Sequence, residues 1–191
     1  MSASPSSPQE PKPDAAPSKL DAAPRSRILV AVMPYREDRM ERILSGHDVT
    51  FVKTSEEARS LLEEEEYSLV ILGVHFDESQ MFSLLGDIRA HARYRKVPIL
   101  CVLGSRGRYL GDFAIEGLDH AVKAMMANGL LNLENIGDDE AGNTRVRRIV
   151  DYLILLDGEL QQLAPGAERN GAGTGRLLGE PRRRSSDRAT H

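Results

Sequence analysis

The chain alternates short apolar runs with segments of helical spacing, and this alternation restricts its possible folds more than any other feature. The clearest run is 68–75, in which no polar side chain occurs between Leu69 and Val74. A strand without a polar face is typical of a parallel sheet that is covered by helices on both sides. Four further runs with strand character lie at 27–33, 47–53, 97–103 and 130–133. Because parallel strands need helical crossovers, the pattern predicts an α/β fold, a doubly wound five-stranded parallel sheet of flavodoxin-like order.

The segments between the runs place apolar residues three and four positions apart, as in a helix with one buried side. The predicted helices lie at 35–45, 55–66, 81–88, 112–128 and about 143–163. Ser55 is expected to cap the second helix, and Gly129 to end the fourth in the left-handed conformation that glycine allows. Phe113 and Met126 are expected on the buried side of the fourth helix.

Composition divides the chain into one domain and two tails. Residues 1–26 are rich in Pro, Ala and Ser and have almost no large apolar side chains, so we expect this segment to be disordered. Residues 27–163 form the predicted domain. Residues 164–191 are Gly-rich and contain the cluster 182–184 of three arginines, which predicts a disordered basic tail. We interpret this tail as solubilising, and an electrostatic patch for an acidic partner is the alternative.

Bulk properties argue against several classes of function. The net charge of −4 and the absence of Trp argue against nucleic-acid binding as the main role of this chain. The single cysteine, Cys101, lies in an apolar run and is expected to be a core residue rather than a reactive thiol. No apolar run approaches the roughly 20 residues of a membrane span, and the N-terminus lacks a secretory pattern. We therefore expect a soluble cytoplasmic protein without a membrane partner.

From 27 to 163 the order of strands and helices resembles the receiver domain of bacterial two-component response regulators, and 68–89 aligns with it without gaps. In receivers, two acidic residues after the first strand hold magnesium and an Asp at the end of the third accepts the phosphoryl group. A Thr or Ser after the fourth strand and a Lys after the fifth bind its oxygens. The resemblance assigns these five roles to Val32, Met33, Gly73, Leu103 and Ile136.

All five positions are apolar or lack a side chain, whereas magnesium needs oxygen ligands and phosphoryl transfer needs positioned charge. The resemblance thus implies a degenerate pseudo-receiver that is independent of phosphorylation, has no cofactor or catalytic residue, and is not an enzyme. A second alignment makes 117–123 the fifth strand and puts Lys123 in the lysine position, but it breaks the helical spacing of the apolar residues in this segment. Acids near the strand ends are interpreted as solvated: Glu37, Asp38, Asp77 and Glu78.

The alternative function is a small-anion or nucleotide sensor, or an enzyme, that uses the crevice at the carboxyl ends of the strands. Its candidate residues are Ser105, Arg106 and Arg108 in the turn after the fourth strand, with His75 opposite. Arginines and backbone N–H groups in such a turn are able to hold an anion, but the spacing matches no phosphate-binding motif. His47 and His91 are interpreted as surface residues without metal partners, and His120 is left unassigned.

The resemblance also indicates an interaction surface, because receivers use the fourth helix, fifth strand and fifth helix for recognition. Here this surface corresponds to 112–163, with Arg145, Arg148 and Tyr152 as candidate contacts and Arg147 expected to be exposed beside them. The run 152–156 is too broad for one buried stripe, which indicates homodimerisation or partner docking. We expect a protein partner such as a signalling kinase or an output protein.

Overall fold

The computed structural model describes residues 26–104 and 111–163. The predictions made for the N-terminal segment, for the tail from 164 onward, and for Ser105, Arg106 and Arg108 lie outside the described residues.

Five strands form one parallel sheet, which confirms the predicted doubly wound fold. They are β1 (Arg27–Ala31), β2 (Asp48–Val52), β3 (Leu69–Gly73), β4 (Ile99–Leu103) and β5 (Gly129–Asn132). Their order is β2-β1-β3-β4-β5, so β1, β3 and β4 are central and β2 and β5 are the edges. At the carboxyl ends of β1, β3 and β5 the last apolar residues of the run already belong to the loops, namely Val32, Met33, Val74 and Leu133.

Five α-helices connect and follow the strands. They are α1 (Glu37–Ile43), α2 (Ser55–Glu64), α3 (Met81–Ala90), α4 (Asp112–Ala124) and α5 (Glu140–Leu163). Single 3-10 turns precede α1 and follow α3 and β5, at Pro34–Arg36, Ala92–Tyr94 and Leu133–Asn135.

The sheet separates two hydrophobic cores, and β3 shows why its sequence is apolar throughout. Val70 and Leu72 point into the core beneath α2, α3 and α4, whereas Leu69 and Ile71 point into the core beneath α1 and α5. Side chains alternate between the two faces of a strand, so a strand covered on both sides needs apolar residues at every position. Cys101 lies in the first core, and burial raises the pKa of its thiol to about 12.

The cap of α2 is Thr54, so the prediction that Ser55 caps this helix is wrong. The Thr54 hydroxyl accepts a hydrogen bond of 3.2 Å from the backbone N–H of Glu57. Ser55 is the first helical residue, and its N–H donates to the Asp77 carboxylate at 2.8 Å. Two side-chain oxygens from different loops therefore satisfy two of the N–H groups at the start of α2.

Helix α4 ends at Ala124, four residues before the predicted end. Met126, with a φ of 63°, takes the left-handed conformation that was expected of Gly129. The chain leaves the helix early because Asn128 pairs with β4: its N–H donates to the Ile99 carbonyl, and its side-chain oxygen accepts from the Ile99 N–H. Phe113 is 89% exposed and Met126 is also exposed, so neither lies on the buried side as predicted. The alignment with a fifth strand at 117–123 is wrong, because these residues are helical.

Helix α5 begins at Glu140, three residues earlier than predicted. Asp139 directly precedes it, and its carboxylate accepts the N–H of Gly142 at 2.7 Å while its carbonyl accepts the N–H of Asn143. An acidic side chain in this position both caps the helix and favours its positive end. The acidic turn before the helix thus forms its start.

Candidate functional site

A small cavity of about 20 Å³ opens where the carboxyl ends of β1, β3 and β4 meet. In the sheet register Ala31 pairs with Leu72, so Val32 follows β1 beside Gly73, the last residue of β3. The residues that line the cavity are Val32, Met33, Tyr35, Arg36, Met40, Gly73, Val74, His75, Val102, Gly104 and Leu133. No carboxylate occurs among these residues, all of which belong to the described part of the chain.

Gly73 has little space for a side chain. A Cβ atom there would lie 3.3 Å from the carbonyl oxygen of Ala31 and 3.3 Å from the Cα of Val32. Both contacts are with backbone atoms of the neighbouring central strand segment, which move only if the sheet itself adjusts. The position is therefore closely packed as well as lacking a nucleophile.

Arg36 extends across Gly104 at the mouth of the cavity. A Cβ on Gly104 would lie 2.7 Å from the Arg36 Nε, so the absence of a side chain at 104 makes room for this arginine. The Nε is buried and has no hydrogen-bond partner among the described residues, and the guanidinium carbon lies 5.2 Å from the centre of the Tyr35 ring. Arg36 could not be predicted from the receiver resemblance, because it lies three residues beyond Met33, the second acidic-pair position.

Three of the five degenerate positions line the cavity, namely Val32, Met33 and Gly73. Leu103 is fully buried, pairs with Asn132 in the sheet and is not among the lining residues, whereas Gly104 is. After β5 it is Leu133 that lines the cavity; Ile136 does not, and its carbonyl instead accepts a hydrogen bond from Arg39. Both residues are apolar, so neither brings a charged side chain to this wall of the cavity.

The acid nearest the end of β3 has a structural role. The Asp77 carboxylate accepts the N–H of Ser55 at the start of α2, and this backbone hydrogen bond is the main reason that its pKa lies below its usual range. Asp77, Glu78 and Ser79 all have positive φ, at 45°, 53° and 70°. None of the three lines the cavity, and no group of three or more His, Cys, Asp or Glu within 26–104 and 111–163 is arranged to hold a metal.

The histidines differ in their surroundings. His75 lines the cavity as expected, and His120 is exposed. His47 is not a simple surface residue: its side chain is only 11% exposed, and its Nε2 lies 3.1 Å from the Asp151 carboxylate of α5. His91 is half-buried, with its ring centre 5.4 Å from that of Tyr94.

Arg39, which sequence reasoning also missed, fastens α1 to the segment between β5 and α5. Its side chain is buried, and its guanidinium donates to the carbonyl oxygens of three residues and to one side-chain amide. The acceptors are Leu133 at 3.1 Å, Ile136 at 2.9 Å, Gly137 at 2.8 Å and the Asn143 amide oxygen at 3.2 Å. Burial lowers the pKa of Arg39, and the nearby Asp138 carboxylate opposes that effect.

The outer side of α5 carries the predicted interaction residues. Arg145 and Arg148 are exposed, Tyr152 is 61% exposed, and Leu155, which was not singled out, is 63% exposed. The expectation that Arg147 is a free surface charge is wrong. Its guanidinium donates to the carbonyl oxygens of Ile43 at 2.8 Å and Arg42 at 2.7 Å. Its role is to hold α5 against the end of α1.

Helix α4 supplies a hydrogen-bond acceptor to the edge of β5 that no other strand pairs with. The Asp119 carboxylate accepts the N–H of Leu130 at 3.1 Å with one oxygen and contacts the Lys123 ammonium at 2.6 Å with the other. The hydrogen bond from Lys123 is the main cause that lowers the pKa of Asp119.

The fold is similar to that of solved receiver domains. A response regulator from Hahella chejuensis is 17% identical, with a TM-score of 0.56 over 69% of this chain and 97% of that one. The signal receiver domain of an HD domain-containing protein from Pseudomonas fluorescens is 17% identical, with a TM-score of 0.56 over 73% and 94%. The receiver domain of a sensor histidine kinase from Pseudomonas aeruginosa is 20% identical, with a TM-score of 0.51 over 68% and 97%, and holds magnesium in its active-site cleft.

No protein-family model matches the sequence, and no curated protein matches it significantly. At identities of 20% or less, the likeness to solved structures shows the fold. The chain therefore has the fold of a receiver-like domain. Within the residues that the structure describes, no helix is both long enough and apolar enough to cross a bilayer.

Proposed function

We propose that the protein is a pseudo-receiver, a protein–protein interaction module of bacterial signal transduction that acts in the cytoplasm without being phosphorylated and is not an enzyme. The observation that carries this proposal is that Gly73 ends β3, and the resemblance to receivers assigns the acceptor aspartate to this position. Glycine has no nucleophile, and the surrounding backbone leaves little space for a larger residue. Val32 and Met33 supply no side-chain oxygen for magnesium, which requires such ligands.

Phosphorylation is tested by incubating the full chain with acetyl phosphate and magnesium and measuring its intact mass. We expect no phosphoryl adduct, while a receiver that retains its acceptor aspartate, treated in parallel, gains one. The variant Gly73→Asp is also expected to stay unmodified, because phosphoryl transfer depends on charge neutralisation that residues 32, 33 and 133 do not provide. A phosphoryl adduct on the unaltered chain contradicts the proposal.

The surface formed by α4, β5 and α5 is our candidate for partner recognition. Exposed Tyr152 and Leu155 lie on α5 together with Arg148, a combination of apolar area and Arg that is enriched in protein interfaces. The partner that we propose is a signalling kinase, an output protein or a second copy of this chain.

This surface is tested with the double variant Tyr152→Ser/Leu155→Ser and a control, Phe82→Ser, which removes an exposed aromatic residue of α3. Sedimentation velocity reports self-association, and affinity capture followed by mass spectrometry reports other partners. We expect the double variant to lose an association that the control retains. If the double variant keeps both the sedimentation profile and the captured proteins of the unaltered chain, the assignment of this surface is contradicted.

The second candidate function is an anion sensor at the cavity, and Arg36 is the observation that favours it. Arg36 has a buried guanidinium nitrogen without a described partner and lines the cavity together with His75, and arginine readily binds phosphate oxygens. In a melting-temperature screen against phosphate and nucleotides, this function requires an upward shift that Arg36→Met abolishes. A flat screen eliminates it.

A further inference from the structure

The side of α5 that points away from the sheet carries a regular row of exposed side chains. The buried side of the helix contributes three apolar residues to the core beneath α1 and α5, namely Val146, Val150 and Leu153. The row on the opposite side consists of four exposed residues: Arg148, Tyr152, Leu155 and Glu159. Residues three and four positions apart are neighbours on a helix surface, so these four lie in one line.

The centre of this row is apolar. Tyr152 and Leu155 are three residues apart and both are more than half exposed, so their side chains form one continuous apolar patch. Covering such a patch removes apolar surface from water, which is favourable, and tyrosine is enriched at the centres of protein interfaces. The patch therefore suits a partner that is itself apolar at this point.

The two ends of the row carry opposite charges. Arg148 precedes Tyr152 by four residues, and Glu159 follows Leu155 by four residues. Within the part of the chain that the structure describes, neither Arg148 nor Glu159 forms an ion pair. Both charges are therefore available to a molecule that covers the apolar patch between them.

The row is complementary to a second copy of itself that runs in the opposite direction. When Tyr152 faces the partner's Leu155 in an antiparallel pair of helices, Arg148 faces the partner's Glu159, because both pairs are centred on the midpoint between residues 153 and 154. A parallel pair would instead place like charges together at both ends, which is unfavourable. Alternating steps of four and three residues are typical of helices that pack side by side at a shallow angle.

We propose that a second copy of this chain binds to the outer side of α5, with the two α5 helices antiparallel and related by a two-fold axis. This inference rests on the proposed function, because it names the partner of the recognition surface proposed there. Tyr152 packs against the partner's Leu155 at the centre, and Arg148 pairs with the partner's Glu159 at each end. The row spans only about 16 Å of helix, so association is weak and reversible, with a Kd on the order of 100 µM.

Reversal of single charges tests the pairing. Sedimentation velocity of the full chain at concentrations up to about 1 mM gives the Kd of self-association. Arg148→Glu and Glu159→Arg each set like charges against each other at both ends of the pair, and each is expected to raise the Kd about tenfold. Glu64→Arg is the matched control: it reverses an exposed charge on α2, on the other side of the sheet, and is expected to leave the Kd unchanged.

A mixture of the two α5 variants provides the decisive measurement. Unlabelled Glu159→Arg is titrated into ¹⁵N-labelled Arg148→Glu, a combination that restores opposite charges at both ends of an antiparallel pair. The mixture is expected to associate with a Kd within about twofold of that of the unaltered chain, with amide shifts along α5. The same recovery is expected of the double variant Arg148→Glu/Glu159→Arg, because the exchanged charges again face each other across the two-fold axis.

Four results would overturn this proposal. They are an unaltered chain that stays monomeric over the whole concentration series, single α5 variants that behave like Glu64→Arg, a mixture that associates no better than either variant alone, and a mixture that associates more tightly than the unaltered chain, as a parallel pair would. None of these results bears on the phosphorylation test or on the capture of another protein through Tyr152 and Leu155. The proposed function therefore stands or fails separately.

Discussion

The guanidinium of Arg39 donates a 3.1 Å hydrogen bond to the carbonyl oxygen of Leu133 and so joins the first helix to the residue directly after the last strand. Leu133 in turn lines the cavity at the strand ends. A charged side chain that is 5% exposed is thereby compensated by backbone acceptors in addition to the Asp138 carboxylate. The hydrogen bond from Arg39 therefore holds in place the part of the cavity wall that Leu133 forms.

Replacing Arg39 by Met is expected to lower the free energy of unfolding by about 3 kcal/mol, because one buried and two partly buried carbonyl oxygens lose their donor at once. Urea denaturation measures this change. The matched control is Arg42→Met, which removes an exposed guanidinium that pairs with Asp138, and its expected cost is below about 1 kcal/mol. Equal effects of the two substitutions would show that the Arg39 hydrogen bonds contribute little.

The backbone around Gly73 leaves little room for a methyl group. Gly73→Ala places one 3.3 Å from the backbone of Ala31 and Val32 and is expected to destabilise the fold by about 1–3 kcal/mol through overpacking. Gly117→Ala is the control: it lies inside α4, where an added methyl group would meet no other atom within 4 Å, and is expected to stabilise by about 0.5–1 kcal/mol. Thermal melts of both variants give the sign of each effect, and a stabilising Gly73→Ala would refute the close packing.

The thiol of Cys101 should be inert in the native protein. Its pKa is raised to about 12 by burial, so at pH 8 only about 1 thiol in 10⁴ is ionised. Labelling with iodoacetamide is expected to proceed only as fast as the protein unfolds, and to become rapid in denaturant. Fast labelling of the folded chain at pH 8 would place this side chain outside the core.

Acid should weaken the contact between α4 and β5. The folded pKa of Asp119 lies below its ordinary value of 3.8, so the ionised form stabilises the fold above that pH. This stabilisation is lost as the pH falls from about 4 through the lower folded pKa, because the folded state must then take up a proton that the unfolded state already holds. Urea midpoints measured across this range should fall less steeply for Asp119→Asn than for the unaltered chain, and parallel curves would contradict the assignment.

The sequence predicted the sheet well because burial on both faces leaves a signal in every residue of a strand, as in β3 and β4. It predicted the ends of α4 less well. Asn128 leaves the helix in order to pair with Ile99, a residue 29 positions away, and no local pattern reports such a partner. The sequence likewise predicted the carboxylate-poor cavity but not the arginines around it. Whether Arg36 and Arg39 turn inward depends on Gly104 and on the carbonyls after β5, which meet them only in the folded chain.

The Asp119 carboxylate, which accepts the N–H of Leu130, has a consequence for how other molecules meet the β5 side of the sheet. An edge strand offers its unpaired N–H groups to any extended peptide that approaches, and here one of these donors is already occupied from within the chain. Strand addition at β5 is thereby disfavoured, because a docking strand would have to displace the Asp119 carboxylate from the N–H of Leu130.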